Sequence, residues 1–205
     1  MDCAQCKTLD CYNKGKDCTG DKGEIAELYR NDPQALAIMK AAAELEAEGY
    51  MLLPRVQEVI LFSRKMGYRH LGMAFCAGLH REARLLQELL APHFEITSAC
   101  CKLCGIAKDD FNLPKVRVNA HEVICNPVGQ ADILNRAGTE LNLLLGLCLG
   151  HDMLFNKHSA APVTTVIVKD RVLANNPAGA LYSAHWMRMI KENPIPGKGK
   201  STDDK

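Results

Sequence analysis

Polar and apolar positions alternate along this chain in blocks that switch period, and the switches mark the elements. From Asp32-Pro33 the pattern is helical: Asp stands as N-cap and Pro at the first helical position. Leu36, Met39 and Ala43, flanked by Ile38, Ala42 and Leu45, form a stripe that stops at Gly49. A second helix follows Pro54, with Val56, Val59, Ile60, Ser63 and Met66 on one side. The segment "RHLGMAFC" (69–76) then reads as a buried strand, and "HREARLLQELLAP" (80–92) as a helix turning Ala83, Leu86, Leu89 and Leu90 inward. "FEITSACC" (94–101) is the next strand, and a crossover helix of that length implies parallel pairing.

The alternation continues. "PVGQADILNRAG" (127–138) reads as a helix closed by glycine, and "ELNLLLGLC" (140–148) as a strand, although leucine-rich runs suit a helix equally well. A short helix over 151–158 leads to the strand "VTTVIVKD" (163–170), with a turn expected at Lys169-Asp170 into "RVLAN". Asn176-Pro177 opens a last helix running to about Ile190. The expected fold is α/β, a Rossmann-like, mostly parallel sheet flanked by helices, with a helical lead-in. The expected divisions are a cysteine-rich metal-binding arm (1–22), the α/β domain with its lead-in (23–190) and a disordered tail rich in Pro, Gly and charge (191–205).

Composition changes the picture through cysteine. Lys plus Arg number 25 against 24 for Asp plus Glu, which argues against nucleic acid or an anionic membrane as the main partner. No apolar run approaches the roughly 18 residues of a membrane span, and polar sequence stands where a signal peptide would be apolar. A cytoplasmic protein is expected, and there ten cysteines stay reduced and point to metal rather than to disulfides. Buried cysteine also serves as a small core hydrophobe, so each position carries that second reading.

Four of the ten, Cys3, Cys6, Cys11 and Cys18, fall in the spacing C-x2-C-x4-C-x6-C within an arm that has no apolar core of its own. Four thiolates can wrap one tetrahedral metal or one cluster, and binding would supply the folding energy the arm lacks. The spacing departs from the ferredoxin run C-x2-C-x2-C-x3-C-P, and the choice leans to an iron–sulfur cluster (4Fe-4S) over zinc. The remaining cysteines sit at strand ends: Cys76 after the first, Cys100 and Cys101 after the second with Cys104 a turn further on, and Cys148 after the third. Cys125 stands just before the helix at Pro127. Ligands of open parallel sheets bind outside the carboxyl ends of the strands. At least three of Cys76, Cys101, Cys104, Cys125 and Cys148 are therefore expected to share a second metal or cluster. Cys100 points to the opposite side of its strand from Cys101.

"CLGHD" adds polar groups at the same edge. Gly150 would let the backbone approach a ligand, His151 and Asp152 are candidates for acid–base work at the mouth of the crevice, and Asn126 would face the same space. For Asp152 the alternative is helix capping, and for His151 exposure to solvent. "HEVIC" (121–125) starts like the zinc-protease motif, but Cys125 replaces the second His and the segment does not read as a helix. "CAGLHREA" lacks the dinucleotide fingerprint, and no Walker A occurs.

Taken together, the arm, "RKMGYRHLGMAFCAGL", "SACCKLCGI" and above all "GLCLGHDMLFNKHSAAPVTTVIVKDRVLANNPAGALY" resemble a family of uncharacterised, cysteine-rich metal-binding proteins found in bacteria and archaea. The resemblance spans nearly the whole chain and implies metal binding without naming a reaction. Two functional classes follow. One is iron–sulfur protein with redox or sulfur and thiol chemistry at the sheet edge, acting on a small sulfur-containing molecule or a redox partner protein. The other is a zinc-stabilised binding or regulatory module without catalysis.

Overall fold

In the computed structural model residues 1–192 are described, so most of the expected tail lies outside the described residues. The chain divides into two compact units, Met1–Leu53 and the remainder from Pro54 onward.

The first unit holds a 3-10 turn at Cys3–Gln5, then α1 (Asp10–Lys14), α2 (Lys22–Arg30) and α3 (Pro33–Gly49). The reading of α3 from its signals holds at both ends. Asp32 accepts a hydrogen bond from the Ala35 N–H at 2.9 Å, and Pro33 occupies the first helical position. Its expected apolar stripe is not buried, however: Leu36 and Met39 stay 48% and 47% exposed. Helix α2 was not expected, because the polar, lysine-rich start of "KGEIAELYR" hides the apolar pair Ile25 and Leu28.

The second unit opens with α4 (Arg55–Lys65), β1 (His70–Phe75), a 3-10 turn at Ala77–Leu79, α5 (His80–Leu90) and β2 (Glu95–Cys100). After two further 3-10 turns come α6 (Pro127–Ala137), β3 (Leu141–Leu145), α7 (His151–His158), β4 (Val163–Ile167), α8 (Ala178–Tyr182) and α9 (Ala184–Glu192). The four strands form one sheet in the order β2-β1-β3-β4, and every pairing is parallel. The order reverses between β1 and β3, the switch point at which open α/β sheets bind ligands.

Two cores explain the three layers. Leu71, Met73, Phe75, Leu141, Leu143 and Leu145 project to one face, against Val59 of α4 and Ala83, Leu86 and Leu90 of α5. Ala74, Ala99 and Leu144 project to the other, against Ala131 and Leu134 of α6 and Phe155 of α7. Strand β3, "LNLLL", is buried at all five positions. A strand covered on both faces reads as a continuous apolar run, which is why its periodicity looked helical. Its one polar residue, Asn142, accepts from Thr139 Oγ1 and donates to Ser159 Oγ, each at 2.8 Å.

Two expectations differ at the C-terminal end. "RVLAN" is a closed turn: Asp170 accepts from the Val172 and Leu173 N–H groups, and Asn175 N–H donates to the Asp170 carbonyl. These local bonds satisfy groups that a further strand would have paired. The last helix is two, α8 and α9, because Ser183 turns extended and accepts from the Trp186 N–H to begin α9. Among the described residues no helix is long and apolar enough to cross a membrane.

Candidate functional site at the carboxyl edge of the sheet

The chain leaves β1 at Cys76, whose N–H still donates to Leu145 O of β3 at 3.0 Å. The next N–H, that of Ala77, donates to the sulfur of Cys101 at 3.3 Å. Cys101 ends β2 in the same way, with its N–H on Phe75 O, and is only 3% exposed. The adjacent strand ends therefore place Cys76 beside Cys101, in the core under α6.

Cys125 reaches them through loop closure. Residues 102–124 leave β2 and return on themselves: Ala107 and Val123 form an antiparallel bridge, and Ile124 N–H donates to Ile106 O. Lys102 Nζ donates to Val123 O at 2.6 Å, and Asn126 N–H donates to Cys101 O at 2.8 Å. The closure sets the Cys125 side chain in a hydrogen bond with Cys101.

The pair shares one proton. Cys101 donates it, and this bond together with burial pushes its own thiol well above the usual range. Accepting that bond holds the Cys125 thiol well below its usual range, aided by the Lys102 ammonium and His151 against the cost of desolvation. A sulfur held as thiolate in a half-buried, electropositive setting has the character of a reactive cysteine.

Of the five cysteines considered as ligands of a shared metal, Cys101 and Cys125 pair and Cys76 packs in the same core, yet among the described residues no three gather as metal ligands do. Cys104 is exposed, in a left-handed turn at φ +68°. Cys148 is engaged by Arg171, whose guanidinium donates to its sulfur at 2.8 Å. Cys100 packs toward the opposite core, as the alternation along β2 demands.

"CLGHD" behaves partly as expected. Gly150 takes φ +85° with open space around its Cα, and the His151 and Asp152 N–H groups donate to Cys148 O. His151 stands near enough to Cys125 to favour its thiolate, and its Nδ1 is buried without a hydrogen-bond partner among the described residues. The Asp152 carboxylate accepts from the Met153 N–H at 2.8 Å, so it serves its own helix. Asn126 begins α6 with its side chain engaged. Its side chain accepts from the Gly129 N–H at 2.8 Å as the N-cap of α6, which leaves that oxygen occupied.

Lys102, Lys169 and Arg171 are functional candidates that the motif reading passed over. Lys169 and Arg171 directly follow β4, a position that marks the carboxyl edge as clearly as Cys148 does after β3. A shallow cavity of about 330 Å³ lies elsewhere, between α5 and β2, lined by Phe75, His80, Arg84, Gln87, Glu88 and Ser98. It contains no thiol.

The arm belongs to the first unit. Cys3, Cys6, Cys11 and Cys18 are all exposed. The Leu9 and Thr8 N–H groups and the Thr8 hydroxyl hold the Cys6 thiol below its usual range. Leu9 takes the left-handed conformation, at φ +48°. Successive N–H groups aimed at one sulfur make the concave nest that receives anions and cluster thiolates. The donor set thus suits a thiolate-bound metal, with Cys6 already cradled. The four sulfurs are not gathered, and among the described residues no three His, Cys, Asp or Glu side chains converge as metal ligands do.

Residues 14–166 match the family described as "Protein of unknown function (DUF1847)". An uncharacterised protein of Methanocaldococcus jannaschii is 48% identical over 193 residues, covering 94% of this chain and 99% of that protein. No solved structure matches. The family match, over most of the chain and through all four strands, makes this protein a member of the DUF1847 family.

Proposed function

We propose that this is a thiol-chemistry protein that handles electrons or sulfur at the carboxyl edge of its sheet, with a metal centre in its N-terminal arm. The observation that carries the reading is the Cys101–Cys125 pair. One buried thiol donates its proton to a neighbouring thiolate, beside Lys102 and His151, at the carboxyl end of β2.

The chemistry follows from that pair. The Cys125 thiolate attacks an electrophilic sulfur of a small disulfide, forming a mixed disulfide and expelling a thiolate that takes up a proton. Cys101, losing its proton, then attacks Cys125 to close a disulfide and release the second thiol. Two protein thiols are oxidised and one substrate disulfide is reduced. A redox partner protein or small thiol returns the pair to its dithiol form. Cys76, beside Cys101, stands as a third sulfur within the same core.

Cys3, Cys6, Cys11 and Cys18 would hold the metal of the arm, and the reading favours a 4Fe-4S cluster over zinc. A cluster supplies one-electron redox capacity. The nest at Cys6 supports thiolate ligation in either case, so zinc in a colourless binding or regulatory module remains the second reading. Both fit a reducing compartment such as the cytoplasm, where the ten thiols stay free.

Anaerobic purification followed by iron, zinc and acid-labile sulfide analysis tests the arm, and thiol mapping tests the crevice. Brown protein with iron and sulfide supports the cluster. Stoichiometric zinc without sulfide replaces it with the second reading. If Cys125 reacts with iodoacetamide no faster than the exposed arm thiols of the demetallated protein, the thiol reading fails.

A further inference from the structure

The carboxyl edge carries a cation that has no partner among the described residues. Lys169 follows β4, and its side chain runs along the end of β3. Its Cδ stands 3.6 Å from where a Cβ on Gly146 would be. Its ammonium reaches the loop after β1, 3.6 Å from where a Cβ on Gly78 would be, and the Cys76 sulfur lies 3.9 Å from that same point. Gly78 thus leaves room beside both the ammonium and the thiol, whereas the space at Gly146 is filled by Leu79. Lys169 is half-buried, yet among the described residues it makes no hydrogen bond or ion pair.

Nearby carboxylates do not compensate it. Asp170 is turned onto the Val172 and Leu173 N–H groups, and Asp152 onto that of Met153. Arg171, two residues on, brings a second cation to Cys148. A half-buried ammonium with no counter-charge among the described residues loses solvation, so it favours an anion bound beside it.

We propose that the crevice takes an anionic sulfur compound, a small thiol or disulfide bearing a carboxylate or comparable acid group, which Lys169 holds over the thiols with Arg171 at the rim. This rests on the thiol reading above and names its substrate class. The assignment divides the labour within the edge. The thiols react, whereas Lys169 selects by charge and orients the acid group so that the sulfur of the bound molecule meets Cys76 or Cys125.

Iodoacetate and iodoacetamide, which alkylate the same sulfurs and differ by one negative charge, test this on the full-length protein. Rates at Cys76 and Cys125 are followed by peptide mass mapping, and the acetate-to-acetamide ratio is compared with that of a free cysteine peptide. The expected ratio at one or both sulfurs is about tenfold above the peptide's, and falls with added salt. In Lys169→Gln the ratio should drop to the peptide's value, while Lys169→Arg should keep most of the excess. A wild-type ratio equal to the peptide's, or one unchanged in Lys169→Gln, overturns the charge selection while rapid iodoacetamide labelling still upholds the thiol reading. Slow labelling by both reagents removes the thiol reading, and this assignment with it.

Discussion

Gly72 is a glycine because of Asn142. A Cβ at Gly72 of β1 would fall 1.9 Å from the Asn142 side-chain oxygen and 3.0 Å from Leu134 Cδ1. Asn142 cannot withdraw without abandoning Thr139 and Ser159 in a fully buried setting. Gly72→Ala should therefore destabilise the protein by roughly 1–3 kcal/mol, as overpacking of a filled core does. Equal chemical-denaturation midpoints for the variant and the parent would show that Asn142 has room to move. At Cys125 the prediction concerns pH. Its thiol titrates below the usual range, so the thiolate persists as pH falls and is lost only on passing the depressed value. Its alkylation rate should be nearly flat from about pH 8 down to pH 7, where an ordinary thiol of pKa about 8.5 loses most of its thiolate. Cys101→Ala removes the donated proton, so Cys125 should titrate higher and regain a steep profile over that interval. An unaltered profile would mean that Cys101 does not set the Cys125 thiolate.

Between elements, single carboxylates and loop closures fix what packing leaves free. Glu140, just before β3, accepts from the Arg69 N–H at 2.6 Å and the His70 N–H at 2.9 Å, tying the start of β3 to the start of β1. These bonds hold its carboxyl below the usual range. A depressed carboxyl stabilises the fold above the ordinary carboxylate range, and the contribution disappears as pH falls through the lowered value. The group is exposed, so screening keeps the effect small. Glu140→Gln should cost on the order of 0.5–1 kcal/mol at pH 7, and progressively less as pH falls through the lowered value. A thermal-melt difference that stays constant across that range would assign the effect to packing instead. The loop from Lys102 to Ile124 is the other device of this scale. Its bridge and the Asn126-to-Cys101 bond bring together two cysteines 24 residues apart in sequence.

For the molecule as a whole, the arm belongs to the unit Met1–Leu53 and the sheet to the unit that starts at Pro54. Cys3→Ser with Cys6→Ser should remove one metal equivalent and make residues 1–20 protease-sensitive, because the buried cores around the sheet draw none of their residues from that unit. The main melting transition should stay within about 2 °C of the parent, the shift expected for a change well under 1 kcal/mol. Unchanged metal content in the double variant would remove the arm as a metal centre. Within the sheet unit, much of the architecture was legible in advance. Strands whose apolar runs are bounded by Gly, Pro and charge announced themselves, and so did α3 through Asp32-Pro33 and the helices expected over 127–138 and 151–158. What escaped was local competition for backbone groups: the turn that begins at Asp170 closes on itself through Asn175, and Ser183 breaks the final helix.

The same contrast separates the two parts of the candidate site. Sequence alone determined that thiols gather at strand ends, because apolar period and crossover length imply parallel strands whose carboxyl ends share one edge. Cys76 and Cys101 could be placed together on that ground. It could not decide which further cysteine joins them, since that depends on how a long loop closes and which way a turn points. Cys104, three residues after Cys101, turns outward at φ +68°, while Cys125 returns beside Cys101. Nor could it show that Asn126 caps a helix, that Arg171 covers Cys148, or that Lys169 arrives beside Cys76 with no partner among the described residues. Periodicity is a property of neighbours in the chain, and carries secondary structure and edge position. Hydrogen-bond partners and uncompensated charge are properties of neighbours in space, and only the tertiary structure supplied them.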